Sequence, residues 1–287
     1  MFAPERWGQV ELFSKLCAET YKFSEREQRA LTGIAQHFEK AATFQRLAVK
    51  VKPGLTADQA ELNERGYTTA PNSRELTTLI EAAILEIYSS VDCTAKVLRA
   101  IYGQTSRGFK DSTRSLFKSF DSISGTFPDS IKEIFRKVTW YDELLFLRDE
   151  LAHLGTGWCH LDEAKTKVKY MHVGVKTKGK PLIIEDVFTW LSNLVNVVNS
   201  FLGQIFQLLR GSLKNTPVPV VCGIVEARFL IRYVDPTQEI TFASGRCASY
   251  QWFEQLDAPT CPFVAHCGAY MKTRPNENPA ALMARKS

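Results

Sequence analysis

No Cys-x2-Cys pair occurs among the 7 cysteines of this chain, so the spacing of a standard zinc knuckle is missing. The cysteine number is odd and the intervals are irregular, which argues against a disulfide framework and for reduced thiols in a cytoplasmic setting. No basic-then-apolar segment with a small-residue cleavage site opens the chain, so no secretory signal is expected. Neither an internal repeat nor a low-complexity tract appears in the 287 residues. Charge of one sign is not in large excess, and the net +5 is only a mild pointer to an anionic partner. What remains is an ordinary globular composition, 45% hydrophobic. It is long enough for one large domain or a domain with an appendage.

One absence is local. Between Asp186 and Arg210 no residue is charged, and the length would suit a membrane span. The pattern excludes it: Ser192, Asn193, Asn196, Asn199, Ser200, Gly203, Gln204 and Gln207 make a polar stripe at helical period. Opposite them lie Leu194, Val195, Val198, Phe201, Ile205 and Leu208. The segment therefore predicts an amphipathic helix with an uncharged polar face. That face suits either a homodimer interface over 186–210 or a central position in a bundle.

Helical periodicity dominates the first half. Trp7, Val10, Phe13 and Leu16 share a face; Ser24 and Glu27 form a capping box for a helix to about Lys50. Residues 51–71, with Pro53, Gly54, Gly66 and Pro71, read as a loop. Asn72 opens the longest helix, whose apolar set is Leu76, Leu79, Ile80, Ala83, Ile84, Ile87, Val91 and Val97, and Gly103 stops it. Shorter helices are predicted near 111–121 and 128–138.

The segment from Tyr141 to Gly155 carries the most chemistry. Leu144, Leu147, Leu151 and Leu154 predict a buried stripe, and Gly155 a left-handed cap. Asp149 and His153 are four apart and share a face. Arg148 lies about 140° round from His153 at roughly 100° per residue, within reach of a long side chain. A cation, a carboxylate and a titratable imidazole at one helix end suit a phosphodiester.

This arrangement, Arg148-Asp149 followed after three residues by His153 late in a helix, resembles the HEPN superfamily. The sharp match covers Arg148 to His153, and a looser match in helix layout covers 72–212. The resemblance implies a HEPN-like helical bundle, and with the strand patterning after Gly157 and after about Asn215 the expected fold is mainly α, the bundle carrying an inserted β-hairpin and a small β-rich C-terminal appendage. The resemblance also implies a metal-independent endoribonuclease, a toxin or anti-phage defence effector, working as a homodimer. Its products would carry 2′,3′-cyclic phosphate and 5′-hydroxyl ends. Arg148 would hold the scissile phosphate, His153 would move the proton, and Asp149 would orient one of them. Some HEPN toxins carry a Tyr two residues after the His as a modification target; here that residue is Gly155. An inhibitory or antitoxin partner stays open. The alternative is a non-catalytic HEPN-like module that binds nucleic acid or nucleotide, or a helical scaffold.

After Gly157 the period changes to two. A hairpin over 158–183 carries Lys165, Lys167, Lys169, Lys176, Lys178 and Lys180, which suit a polyanion-steering rim or a protected sheet edge. Arg107, Lys110, Arg114 and Lys118 alternate with Phe109, Phe117 and Phe120. Arg107 and Lys110 are the better candidates for RNA phosphate. The phenylalanines suit either base stacking or the core.

The domain reading is 1–71 as N-terminal helices on the bundle, 72–212 as the HEPN-like domain, 215–272 as the appendage and 273–287 as a flexible tail. The appendage holds Cys222, Cys247, Cys261, His266 and Cys267. Their spacing favours buried free thiols, and Cys159, His160 and His172 lack a carboxylate pair at ligand spacing. Neither a metal nor a cofactor is expected.

Overall fold

A computed structural model describes residues 2–110, 112–162, 164, 166–177 and 179–273. The elements run in the order α1 (Gln9–Leu16), α2 (Glu25–Val51), α3 (Leu55–Arg65), α4 (Pro71–Tyr102), β1 (Ser106–Arg107) and α5 (Thr113–Ser119). Next come β2 (Ser124–Gly125), α6 (Asp129–Arg136), α7 (Tyr141–His153), β3 (Trp158–Leu161), β4 (Val168–Thr177), β5 (Lys180–Ile184) and α8 (Val187–Gly211). The last are β6 (Val218–Val225), β7 (Arg228–Val234), β8 (Arg246–Cys247), α9 (Tyr250–Phe253) and α10 (Gly268–Thr273). The fold is mainly α, with small antiparallel sheets. Among the described residues no helix is long and apolar enough to cross a membrane.

The chain divides into two compact units, Phe23–Ile205 and a unit made of residues 2–22 with 206–273, the boundary falling inside α8. The N-terminal segment thus groups with the C-terminal strands, a pairing that a reading along the chain, which put 1–71 together, does not deliver.

In the larger unit α2 starts at the capping box: Ser24 accepts from the Glu27 amide and the Glu27 carboxylate accepts from the Ser24 amide at 2.7 Å. Leu31, Ile34, Ala41 and Ala48 of α2 are buried, as are Leu76, Ile80, Ala83, Ile84, Ile87 and Val91 of α4, and these helices pack along each other. The expected loop at 51–71 contains α3 instead. Pro53 sits in a one-turn 3-10 helix that leads into it, and Gly66 closes it at φ 73°. Residues read as loop punctuation are the start and stop of a short helix. Phe117 stacks on Tyr141 at 3.6 Å, within a ring cluster that includes Phe135, Trp140 and Phe201. Phe120 packs on Phe135 and Phe109 on Phe127. All three phenylalanines are packed against other rings.

The expected hairpin is a three-stranded sheet in the order β3-β4-β5, with β4 in the middle. It is pinned to α4 by polar side chains at four-residue spacing. Ser73 donates to the Cys159 carbonyl, Thr77 accepts from the Cys159 amide at 2.9 Å, and Glu81 accepts from the Gly157 amide at 2.5 Å and the Tyr170 hydroxyl at 2.9 Å. These buried groups satisfy the inner edge of β3, whose strand neighbour among the described residues is β4.

In the smaller unit β6, β7 and β8 form a separate antiparallel sheet. Phe13 of α1 packs on Phe206 at 5.3 Å. The buried Arg232 of β7 lies 3.9 Å over the Phe2 ring and donates to the carbonyls of Phe242 and Ser244.

Candidate active site at the end of helix α7

Three side chains converge on the outer face of α7. Arg148 donates to Asp149 at 2.9 Å, and Arg114 of α5 donates to the other Asp149 oxygen at 3.1 Å. The Arg148 guanidinium also lies 5.0 Å over the ring of Tyr88 on α4. Burial pushes the Tyr88 hydroxyl's pKa up, so the ring beneath Arg148 is a neutral platform. α5 is set in place by its Thr113 hydroxyl, which donates to Asp92 of α4 at 2.5 Å, and by the Ser112 cap. Asp149 thus spans two guanidiniums, and each keeps further N–H donors for an oxyanion.

His153 is exposed at the end of α7 and makes no hydrogen bond among the described residues. It lines an open groove of about 510 Å³ with Phe146, Asp149, Leu154, Gly174 and Lys176. Asp149 is shared between this groove and the arginine pair, whereas Arg148 does not line the groove. The partners of Asp149 are therefore the arginines rather than His153.

The helix ends differently from expectation. Gly155 is not left-handed. The Glu150 carbonyl accepts from both the Leu154 and Gly155 amides, and the Gly155 carbonyl meets the buried His172 Nε2 at 3.2 Å. Leu154 is 79% exposed instead of completing the buried stripe, which stops at Leu147 with Leu151 half-buried. The chain turns outward to reach β3, taking Leu154 off the helical period.

A bulge in β4 between His172 and Lys176 faces this helix end. Its Val175 amide donates to His172 Nδ1 at 3.2 Å, so His172 Nε2 carries the proton given to Gly155. The bulge brings Gly174, Val175 and Lys176 to the groove wall. A β-carbon at Gly174 would stand 2.4 Å from a Glu150 carboxylate oxygen, so a larger residue there would turn the Glu150 side chain aside.

The remaining predicted residues are scattered. Lys167 sits in the exposed turn before β4, Lys169 pairs with Glu185 at 2.7 Å, and Lys165 and Lys178 lie outside the described residues. Among the described hairpin lysines, Lys176 is the one at the groove. Arg107 and Lys110 are exposed, and among the described residues no ion pair joins either to Arg148, Asp149 or His153. Arg114, passed over in favour of those two, is the cation that reaches the motif. Its place in a basic stretch was visible, but its partner lies 35 positions away.

The thiols of Cys222, Cys247, Cys261 and Cys267 line one cavity of about 10 Å³ in the smaller unit, and Arg232 donates to Cys267 at 3.3 Å. Burial pushes the Cys247 thiol up to about 11. Among the described residues no group of three or more His, Cys, Asp or Glu side chains is arranged to hold a metal ion.

No family model, curated protein or solved structure matches the chain.

Proposed function

We propose that the end of α7 is the active site of a metal-independent endoribonuclease of HEPN type, acting as a toxin or anti-phage defence effector. The observation that carries this reading is the Arg114–Asp149–Arg148 bridge beside an exposed His153 on an open groove. RNA supplies its own nucleophile in the 2′-hydroxyl. His153 would exchange a proton with that hydroxyl or with the leaving 5′-oxygen. Arg148 and Arg114 would take the scissile phosphate as its charge grows, displacing Asp149 from one edge of each fork. Cleavage would leave 2′,3′-cyclic phosphate and 5′-hydroxyl ends.

One imidazole cannot serve both sides of the scissile bond at once, so a second copy would complete the site. The uncharged stripe of α8 is exposed at Asn193, Asn196, Val197, Ser200 and Gln204, which supports that helix as the homodimer face. An inhibitory partner would act by covering the groove.

The test is cleavage of a labelled single-stranded RNA in EDTA by the intact protein and by His153→Ala. Cutting by the intact protein alone, with cyclic-phosphate ends, is the expected result. RNA binding without cutting by either protein would favour a non-catalytic binding module.

A further inference from the structure

Tyr88, Asp92, Lys96 and Arg99 recur along α4 at spacings of four, four and three, so they share one face of that helix. Arg148 lies over Tyr88 at one end of this stripe. Asp92 follows, holding Thr113 at 2.5 Å and Lys96 at 2.7 Å. At the other end opens a groove of about 550 Å³, lined by Arg26 and Glu27 of α2, Lys96 and Arg99 of α4, Gln104 and Phe109.

Among the described residues the lining of this groove carries three cations against one acid, Glu27. Both the amide and the hydroxyl of Ser24 donate to one Glu27 oxygen, at 2.7 and 2.8 Å. Those bonds lower its pKa and keep it ionised, so the lining is net positive rather than of one sign. Arg26, Lys96 and Arg99 are all exposed, and Arg107 and Lys110, which flank Phe109 in sequence, are exposed as well. Phe109 is packed on Phe127, so the groove offers cations rather than a free stacking ring.

We propose that this groove is a second backbone-binding station for the RNA cleaved at α7, gripping phosphates on one side of the scissile bond. The inference rests on the ribonuclease reading of α7 and adds a substrate requirement to it. Tyr88 and Arg99 are about 16 Å apart along α4 at roughly 1.5 Å rise per residue. That distance corresponds to about five stacked nucleotides at about 3.4 Å each. A dinucleotide occupies the motif alone, whereas a strand of about twelve nucleotides spans both stations.

The experiment measures binding of a labelled oligouridylate twelve-mer and of a uridine dinucleotide to full-length His153→Ala, used so that no turnover intervenes. The same background carries Arg26→Gln with Arg99→Gln, or Arg29→Gln with Arg46→Gln as a charge-matched control on α2 (Arg29 pairs with Glu25, Arg46 donates to Thr43, and neither lines the groove). The double variant is expected to weaken the twelve-mer by about tenfold or more. It should also lower the log–log salt slope by about 0.7 for each lost phosphate contact. Dinucleotide binding should stay as it was. A double variant that binds the twelve-mer like the Arg29→Gln, Arg46→Gln control, with the same salt slope, overturns this inference and leaves the ribonuclease reading standing. Failure of the background protein to bind the twelve-mer at all overturns both.

Discussion

Arg114 on α5 and Asp149 on α7 are joined at 3.1 Å, and through Asp149 the bridge continues to Arg148 at 2.9 Å. The three side chains are between about a third and a half exposed, so the bridge contributes little to folding. Asp149→Asn is expected to change stability by no more than about 1 kcal/mol. Its effect on RNA cleavage should be far larger, up to about 100-fold, because both guanidiniums lose the group that aligns them. Denaturant melts beside single-turnover rates separate the two. Equal losses in both would show the bridge to be structural.

The pinning of the β3-β4-β5 sheet to α4 makes the opposite prediction. Glu81 is buried and accepts from the Gly157 amide and the Tyr170 hydroxyl. Glu81→Ala strands both donors and should cost about 2–6 kcal/mol, at about 1–3 kcal/mol per unsatisfied group. Gly157→Ala should cost about 1–3 kcal/mol by overpacking, since a β-carbon there would lie 2.3 Å from the Tyr170 ring. Chemical denaturation of the two variants checks both values. A change under about 0.5 kcal/mol in either would mean the sheet is not held this way.

Much of the helical frame was readable because its signals are local. Ser24 and Glu27 mark the start of α2 within four residues, and the apolar period of α4 persists to Val97. The ends were harder. Gly155 suggested a left-handed cap, yet α7 ends through a bond from His172, which comes from a strand yet to be laid down. Helical spacing puts Asp149 and His153 on one face, and the resemblance makes Asp149 a partner for His153 or Arg148. Spacing could not reveal Arg114, because that ion pair joins two helices 35 positions apart, with Thr113 beside it bonded to Asp92 of a third. Likewise Ser73, Thr77 and Glu81 interrupt the apolar stripe of α4, and their meaning depends on a strand about 80 residues later.

His172 should prove a positioning residue for His153. It is 2% exposed and holds both the α7 end, through Gly155, and the β4 bulge, through Val175. His172→Ala leaves that carbonyl and amide unpaired, at about 1–3 kcal/mol, and frees the groove wall. Hydrogen exchange at the Val175 amide should accelerate and cleavage should fall with Arg148 and Asp149 unchanged. His153→Ala, at an exposed position, should alter stability by no more than about 0.5 kcal/mol. Unchanged Val175 exchange in His172→Ala would remove His172 from this role.

The Cys159 thiol ties the same region to pH. The residue is fully buried on β3, and burial, opposed by Thr77 and aided by Glu81, pushes its thiol up from 9.0 to about 12. The unfolded chain would release that proton near the ordinary value, so the folded state binds it more tightly. The stabilisation is complete below about pH 9 and is lost as pH rises toward the folded value. The melting temperature should therefore fall between pH 8.5 and 11, and fall less steeply in Cys159→Ala, which lacks the group. Other side chains titrate in that window, and the difference between the two proteins isolates Cys159. Iodoacetamide at pH 8 should leave Cys159 unlabelled in the native protein and label it after unfolding. Rapid native labelling would show that β3 opens from α4, and with it that the polar pins of Ser73, Thr77 and Glu81 do not hold the sheet.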